Sequence, residues 1–161
     1  MTHNLYIHDF WRARELKIEH PDWPILNLSG NKMKVEGEIH NITFIEENPR
    51  CVLGLMNASR LLLGLVRKHD NVIVNCVHGL NRSVLSALIV CQWISFDLNL
   101  YVHGKLMHVK CRESPLHISW KKPICPIFNV EDPIISNIIQ LHPNVLCSEW
   151  TSTFVQGHCP G

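Results

Sequence analysis

No stretch of this chain approaches the roughly 18 consecutive apolar residues that a membrane-spanning helix needs, so no transmembrane segment and no membrane partner are expected. Charge is scarce and balanced. Charged residues are 18% of the chain, 15 basic against 14 acidic, for a net +1. That balance excludes a broad basic face for nucleic acid, though not a local basic pocket, and with 46% hydrophobic residues it excludes a disordered chain. Residues 1–17, MTHNLYIHDFWRARELK, lack the apolar core of a signal peptide. The seven cysteines are odd in number and have no disulfide-framework spacing. Together these predict a reducing compartment, cytoplasmic and/or nuclear. Metal-ligand spacing is missing as well. Eleven histidines are scattered, and neither Cys111, His117 and Cys125 nor His158-Cys159 forms a zinc pattern, so no metal or other cofactor is expected. There is no internal repeat and no low-complexity tract. Four Asn-x-Ser/Thr triplets, at Asn27, Asn41, Asn57 and Asn81, read as coincidence in a chain without a secretory signal.

What remains is the pattern of one α/β domain. At 161 residues the chain can bury a proper core. A domain over 1–142 is expected, with an aperiodic tail over 143–161. A first helix is expected over 9–19, a turn at Asp22-Trp23-Pro24, a strand over 25–28, a turn at Ser29-Gly30-Asn31-Lys32, and a second core strand over 39–45. From Val52 to Lys68 the apolar positions 52, 55, 56, 62, 63, 65 and 66 fit a helix. A strand over 72–75 and a helix over 83–95 follow. Asp97 reads as the cap of a further helix reaching about Lys110, with Leu98, Val102, Leu106 and Val109 on one face. Residues 115–130 read as irregular, and Asp132-Pro133 opens a last helix to about Leu141. Strands alternating with helices predict a central, mostly parallel, twisted sheet with helices on both faces. Ligands of such sheets bind beyond the carboxyl ends of the strands.

One segment carries chemistry: Cys76-Val77-His78-Gly79-Leu80-Asn81-Arg82-Ser83, after the β-branched run Val72-Ile73-Val74 and before the apolar stretch 84–94. A loop running from a strand into a helix N-terminus points several backbone N–H groups at one spot, which the helix dipole makes positive. A phosphate can sit there, held by the loop from Val77 through His78, Gly79, Leu80 and Asn81 to Arg82. A thiolate at Cys76 is favoured by the same field and is the nucleophile. Gly79 permits a sharp turn and close backbone approach. Arg82 offers a planar fork for two phosphate oxygens. The Ser83 hydroxyl can donate a hydrogen bond to the thiolate and help it leave. The five tryptophans read as core and rim packing.

These residues resemble the signature loop of the cysteine-dependent phosphatases, His-Cys-x5-Arg-Ser/Thr, in the compact dual-specificity branch. The resemblance covers roughly residues 23–112 and more weakly extends to about 141. Ile25-Leu26-Asn27-Leu28-Ser29 looks like an early core strand of that family, and residues 39–47 like the strand leading to its general-acid loop. His78 with Asn81 is similar to the RNA 5′-triphosphatase branch. Two positions depart from the family pattern. Asn75 stands where the family has the histidine before the nucleophile. Glu46, with Glu47 adjacent, stands where it has an aspartate about thirty residues before the cysteine. The family's additional strand before residue 25 has little room here, so the start reads as shortened, with a sheet edge opened or the substrate rim reshaped.

The resemblance implies a dual-specificity-phosphatase-like fold and a phosphatase acting on phosphoproteins, at tyrosine and also at serine or threonine, through a cysteinyl-phosphate. Cys76 is the nucleophile, Arg82 and the loop amides hold the phosphate, Glu46 (or Glu47) is the acid, and Ser83 aids thiolate release. A diphosphate leaving group needs little protonation, so the absent aspartate and His78 agree with an alternative, the 5′-triphosphate end of RNA. A third reading is a pseudophosphatase that captures phosphorylated partners without turnover.

Overall fold

The structure, a computed structural model, describes residues 2–42, 51–79, 82–110, 118–121, 125–128 and 131–141. They form a single α/β domain built on a six-stranded, mostly parallel sheet. In chain order the elements are β1 (Asn4–His8), α1 (Phe10–Glu19), β2 (Ile25–Asn27), β3 (Ile39–Asn41), α2 (Cys51–Lys68), β4 (Asn71–Asn75), α3 (Arg82–Trp93), β5 (Leu98–Val102), β6 (Lys105–Val109), β7 (Ile118–Lys121), β8 (Cys125–Phe128) and α4 (Pro133–Leu141). The sheet order is β3-β2-β4-β1-β5-β6, with only the β5–β6 pair antiparallel; β7 and β8 pair separately.

Alternation along the strands assigns the two faces. Leu5, Ile7, Leu26, Val72 and Val74 pack with Leu55, Leu62 and Val66 of α2 and Val84, Leu85 and Leu88 of α3. Ile25 and Ile73 point the other way and pack with Ala13 and Leu16 of α1 and with Met33. Helices therefore cover both faces, as the β/α alternation predicts. Every residue of α3 from Arg82 to Cys91 is buried, which explains why its sequence is apolar all round rather than on one stripe. The first helix begins where expected because Asp9 caps it, its carboxylate accepting from the Arg12 amide at 2.8 Å.

Three expectations are corrected. The segment 98–110 is not a helix capped by Asp97 but the β5–β6 hairpin. Positions 98, 102, 106 and 109 satisfy a helical period, yet Leu98, Leu100, Val102, Met107 and Val109 satisfy a period of two, and the sheet buries that set. Leu98 pairs with Val109 and Leu100 with Met107, while Leu106 is left exposed on the other face. Asp97 instead meets Lys110 across the hairpin mouth at 3.7 Å, an exposed pair of little energetic weight. A strand does precede residue 25. Residues 4–8 form a strand in the interior of the sheet, between β4 and β5. Its five residues hold only two inward apolar side chains, Leu5 and Ile7, too few for the period to stand out. Finally, the stretch 115–130 contains the small β7–β8 pair. The second core strand is a strand from Ile39 to Asn41; its predicted continuation lies outside the described residues, as does the tail from 143.

Candidate active site

The nucleophile candidate sits at the carboxyl end of β4, where the parallel sheet opens toward a ligand. Cys76 follows the last strand residue, Asn75, and α3 begins at Arg82, six positions on. This turn brings Cys76 Sγ to 3.3 Å from Ser83 Oγ. Cys76, Arg82 and Ser83 are all buried beneath the loop. Val77 is half-buried and His78 exposed. Leu80, Asn81, Glu46 and Glu47 lie outside the described residues.

Gly79 has φ +68°, and a Cβ there would lie 2.6 Å from the His8 carbonyl carbon and 2.8 Å from the Asp9 amide nitrogen. Only glycine fits this left-handed position at such a distance. The loop is thereby pressed onto the β1–α1 junction, and the Phe10 N–H donates to the Val77 carbonyl at 3.2 Å. On the far side of Gly79, His103 Nε2 lies 2.8 Å from its carbonyl oxygen. A cleft of about 730 Å³ opens beside the loop, lined by Asp9, Phe10, Trp11, Asn31, Val77 and His78. Cys76 and Arg82 are buried and are not among the residues that line it. Trp11, read from the sequence as packing, lines this cleft and is 69% exposed. Among the described residues, Asp9 is the carboxylate that lines the cleft.

Asn75, the departure beside the nucleophile, has a structural explanation. Its Nδ2 donates to Asn27 Oδ1 at 2.9 Å, and Asn27 Nδ2 donates to Asn41 Oδ1 at 2.7 Å and to the Asn31 carbonyl at 2.6 Å. The three asparagines are direct cross-strand partners on β4, β2 and β3. This ladder ties the strand that delivers Cys76 to the strand that leads toward Glu46. Asn27→Ala strips partners from Asn75, Asn41 and the Ser29 amide at once. It should destabilise the fold by roughly 2–4 kcal/mol, read from urea unfolding; a loss under about 0.5 kcal/mol would show the ladder to be idle.

His8 ends β1 against the loop and is 8% exposed. Burial, then the neighbouring His103 and Arg12, push its pKa down from 6.5 to about 4, with Asp9 opposing weakly. An unfolded chain takes up this proton near pH 6.5 and the folded one only near pH 4. Between those values the unfolded state binds more protons, so the contribution is complete above pH 6.5 and is lost as pH falls toward 4. The integrated effect is at most roughly 3 kcal/mol. Urea midpoints of wild type and His8→Gln should therefore diverge in pH dependence between pH 7 and 4.5, the wild type falling more steeply. Parallel curves would refute it.

Among the described residues no three His, Cys, Asp or Glu side chains gather to hold a metal ion, and no helix is long and apolar enough to cross a membrane. No family model matches the chain, and no curated protein matches it either. The sequence reading named Cys76, Gly79, Arg82 and Ser83 as candidates but did not foresee the His8-Asp9-Phe10 junction and His103, which contact the loop at Gly79 and Val77. His103-Gly104 between two alternating runs was the available signal for the hairpin; residues 4–8 offered none strong enough.

Proposed function

We propose that this protein is a cysteine-dependent phosphatase whose substrates are phosphorylated proteins. The observation that carries the reading is the placement of Cys76 Sγ 3.3 Å from Ser83 Oγ at a strand-to-helix turn whose first helical residue is Arg82. The Cys76 sulfur, as thiolate, is the group that attacks phosphorus in line. The S–P bond forms as the P–O bond breaks, and the leaving oxygen takes a proton from the acid expected at Glu46. Water then attacks phosphorus, giving its proton back to that carboxylate, and the S–P bond breaks with the Ser83 hydroxyl donating to the departing thiolate. Arg82 and the loop amides stabilise the charge on the equatorial oxygens. A cleft with an exposed tryptophan at its rim suits an aromatic phosphoamino acid.

A second reading, hydrolysis of the 5′-triphosphate end of RNA, draws on His78, which is exposed and lines the same cleft as Trp11, a surface on which a base can stack. Phosphate release from p-nitrophenyl phosphate, a phosphotyrosine peptide and triphosphate-ended RNA, measured side by side with Cys76→Ser as control, separates the readings. Release from the first two supports a protein phosphatase; strong preference for RNA replaces it with the triphosphatase. No release from any, with oxyanion binding retained, leaves a phosphate-binding pseudoenzyme.

A further inference from the structure

The hairpin that the helical period concealed has an unusual turn. Val102 pairs with Lys105, which leaves His103 and Gly104 as a two-residue loop. Both have positive φ, +49° and +83°. That sign pattern belongs to the type I′ turn, which asks for Asn-Gly. The second position complies and the first does not: histidine is tolerated at φ > 0 but is a poorer choice than asparagine. The ring at this position is in use. His103 Nε2 is 2.8 Å from the Gly79 carbonyl oxygen. A carbonyl can only accept, so Nε2 carries the proton and donates. The reach is fixed from behind, because the His103 amide donates to the Ile7 carbonyl at 3.1 Å, and the ring stands edge-on to His8 with centroids 5.9 Å apart.

We infer that His103 is a positioning residue of the phosphate-binding loop, kept at a turn position where asparagine would serve the hairpin better. The inference rests on the proposed phosphatase reading. A phosphate loop binds through its backbone N–H groups, and those groups work only if their peptide planes are fixed. C=O and N–H share one rigid plane, so holding the Gly79 carbonyl fixes the peptide that Gly79 begins. From below, Gly79 already rests on the His8–Asp9 backbone. The imidazole supplies the second restraint, from a hairpin far along the chain. His103 meets the loop through its hydrogen bond to the Gly79 carbonyl, and its action on the loop runs through that bond.

Three variants separate this role from a structural one. His103→Asn completes the Asn-Gly turn but is too short to reach the carbonyl. His103→Gln places an amide N–H near the position of Nε2. His103→Ala removes the donor without improving the turn. Tungstate affinity, measured by calorimetry, should fall roughly tenfold in the Asn and Ala variants, about 1.4 kcal/mol, and return to within about threefold of wild type in the Gln variant. The Asn variant should unfold at the same temperature as wild type or about a degree or two higher. Amide exchange at Val77–Gly79 should accelerate in Asn and Ala while the β5 and β6 amides stay protected. Unchanged tungstate affinity and loop exchange in His103→Asn, or no recovery with Gln, would overturn the role. If the wild-type protein neither binds tungstate nor releases phosphate, the phosphatase reading fails, and the exchange comparison still decides whether His103 orders the loop.

Discussion

Cys76→Ser should abolish phosphate release, by on the order of 10⁴-fold or more, while leaving the fold and oxyanion binding intact. The nucleophile is lost outright, because a serine hydroxyl stays protonated and is a far weaker nucleophile than a thiolate. The proposed phosphate site should persist, because it is assigned to the loop backbone and Arg82 rather than to sulfur. The replacement is close to isosteric in a position that is 2% exposed, and Ser83 Oγ, 3.3 Å from Sγ, can hydrogen-bond to the new hydroxyl. Steady-state release from p-nitrophenyl phosphate, together with tungstate affinity and the unfolding midpoint, checks each part. Turnover equal to wild type would remove Cys76 from the chemistry altogether. A variant that loses tungstate binding along with turnover would instead show that sulfur holds the loop in shape.

Gly79→Ala should be damaging to stability and activity alike, for a reason that lies on β1. The new methyl carbon would sit 2.6 Å from the His8 carbonyl carbon and 2.7 Å from its oxygen, at a residue with φ +68°. Backbone atoms at the strand-to-helix junction cannot move aside as the end of a flexible side chain can. The left-handed conformation alone costs an alanine about 1–2 kcal/mol, and relief of the clash brings the expected loss to roughly 2–4 kcal/mol. Relief requires the loop to lift from the β1–α1 junction, breaking the Phe10–Val77 and His103–Gly79 hydrogen bonds. A displacement of that kind should lower kcat/KM on the order of 10²-fold. Urea unfolding and kinetics on the same protein test it. An alanine variant with wild-type stability and turnover would show that the loop does not rest on His8.

The two variants differ in how much of each was readable along the chain. Cys76, Arg82 and Ser83 lie within eight consecutive residues, and a strand-to-helix turn is a local object. The spacing of a phosphate loop, the β-branched run before it and the apolar helix after it are all written in one stretch. So are the Asp9 cap, the helix from Cys51 to Lys68 with its long apolar period, and the Pro133 start of α4. The sequence alone determined an α/β domain with a candidate phosphate loop at a strand's carboxyl end. Only the tertiary structure decided what holds that loop. Short periods are ambiguous: five residues at 4–8 and twelve at 98–109 fit more than one element, and pairing with β4 and with β1 settled both as strands. The asparagine ladder joins positions 27, 41 and 75, and the loop restraint joins 79 to 8 and 103. Contacts between residues tens of positions apart leave no period in the chain, because side-chain alternation reports which face a residue takes but not which strand lies next to it.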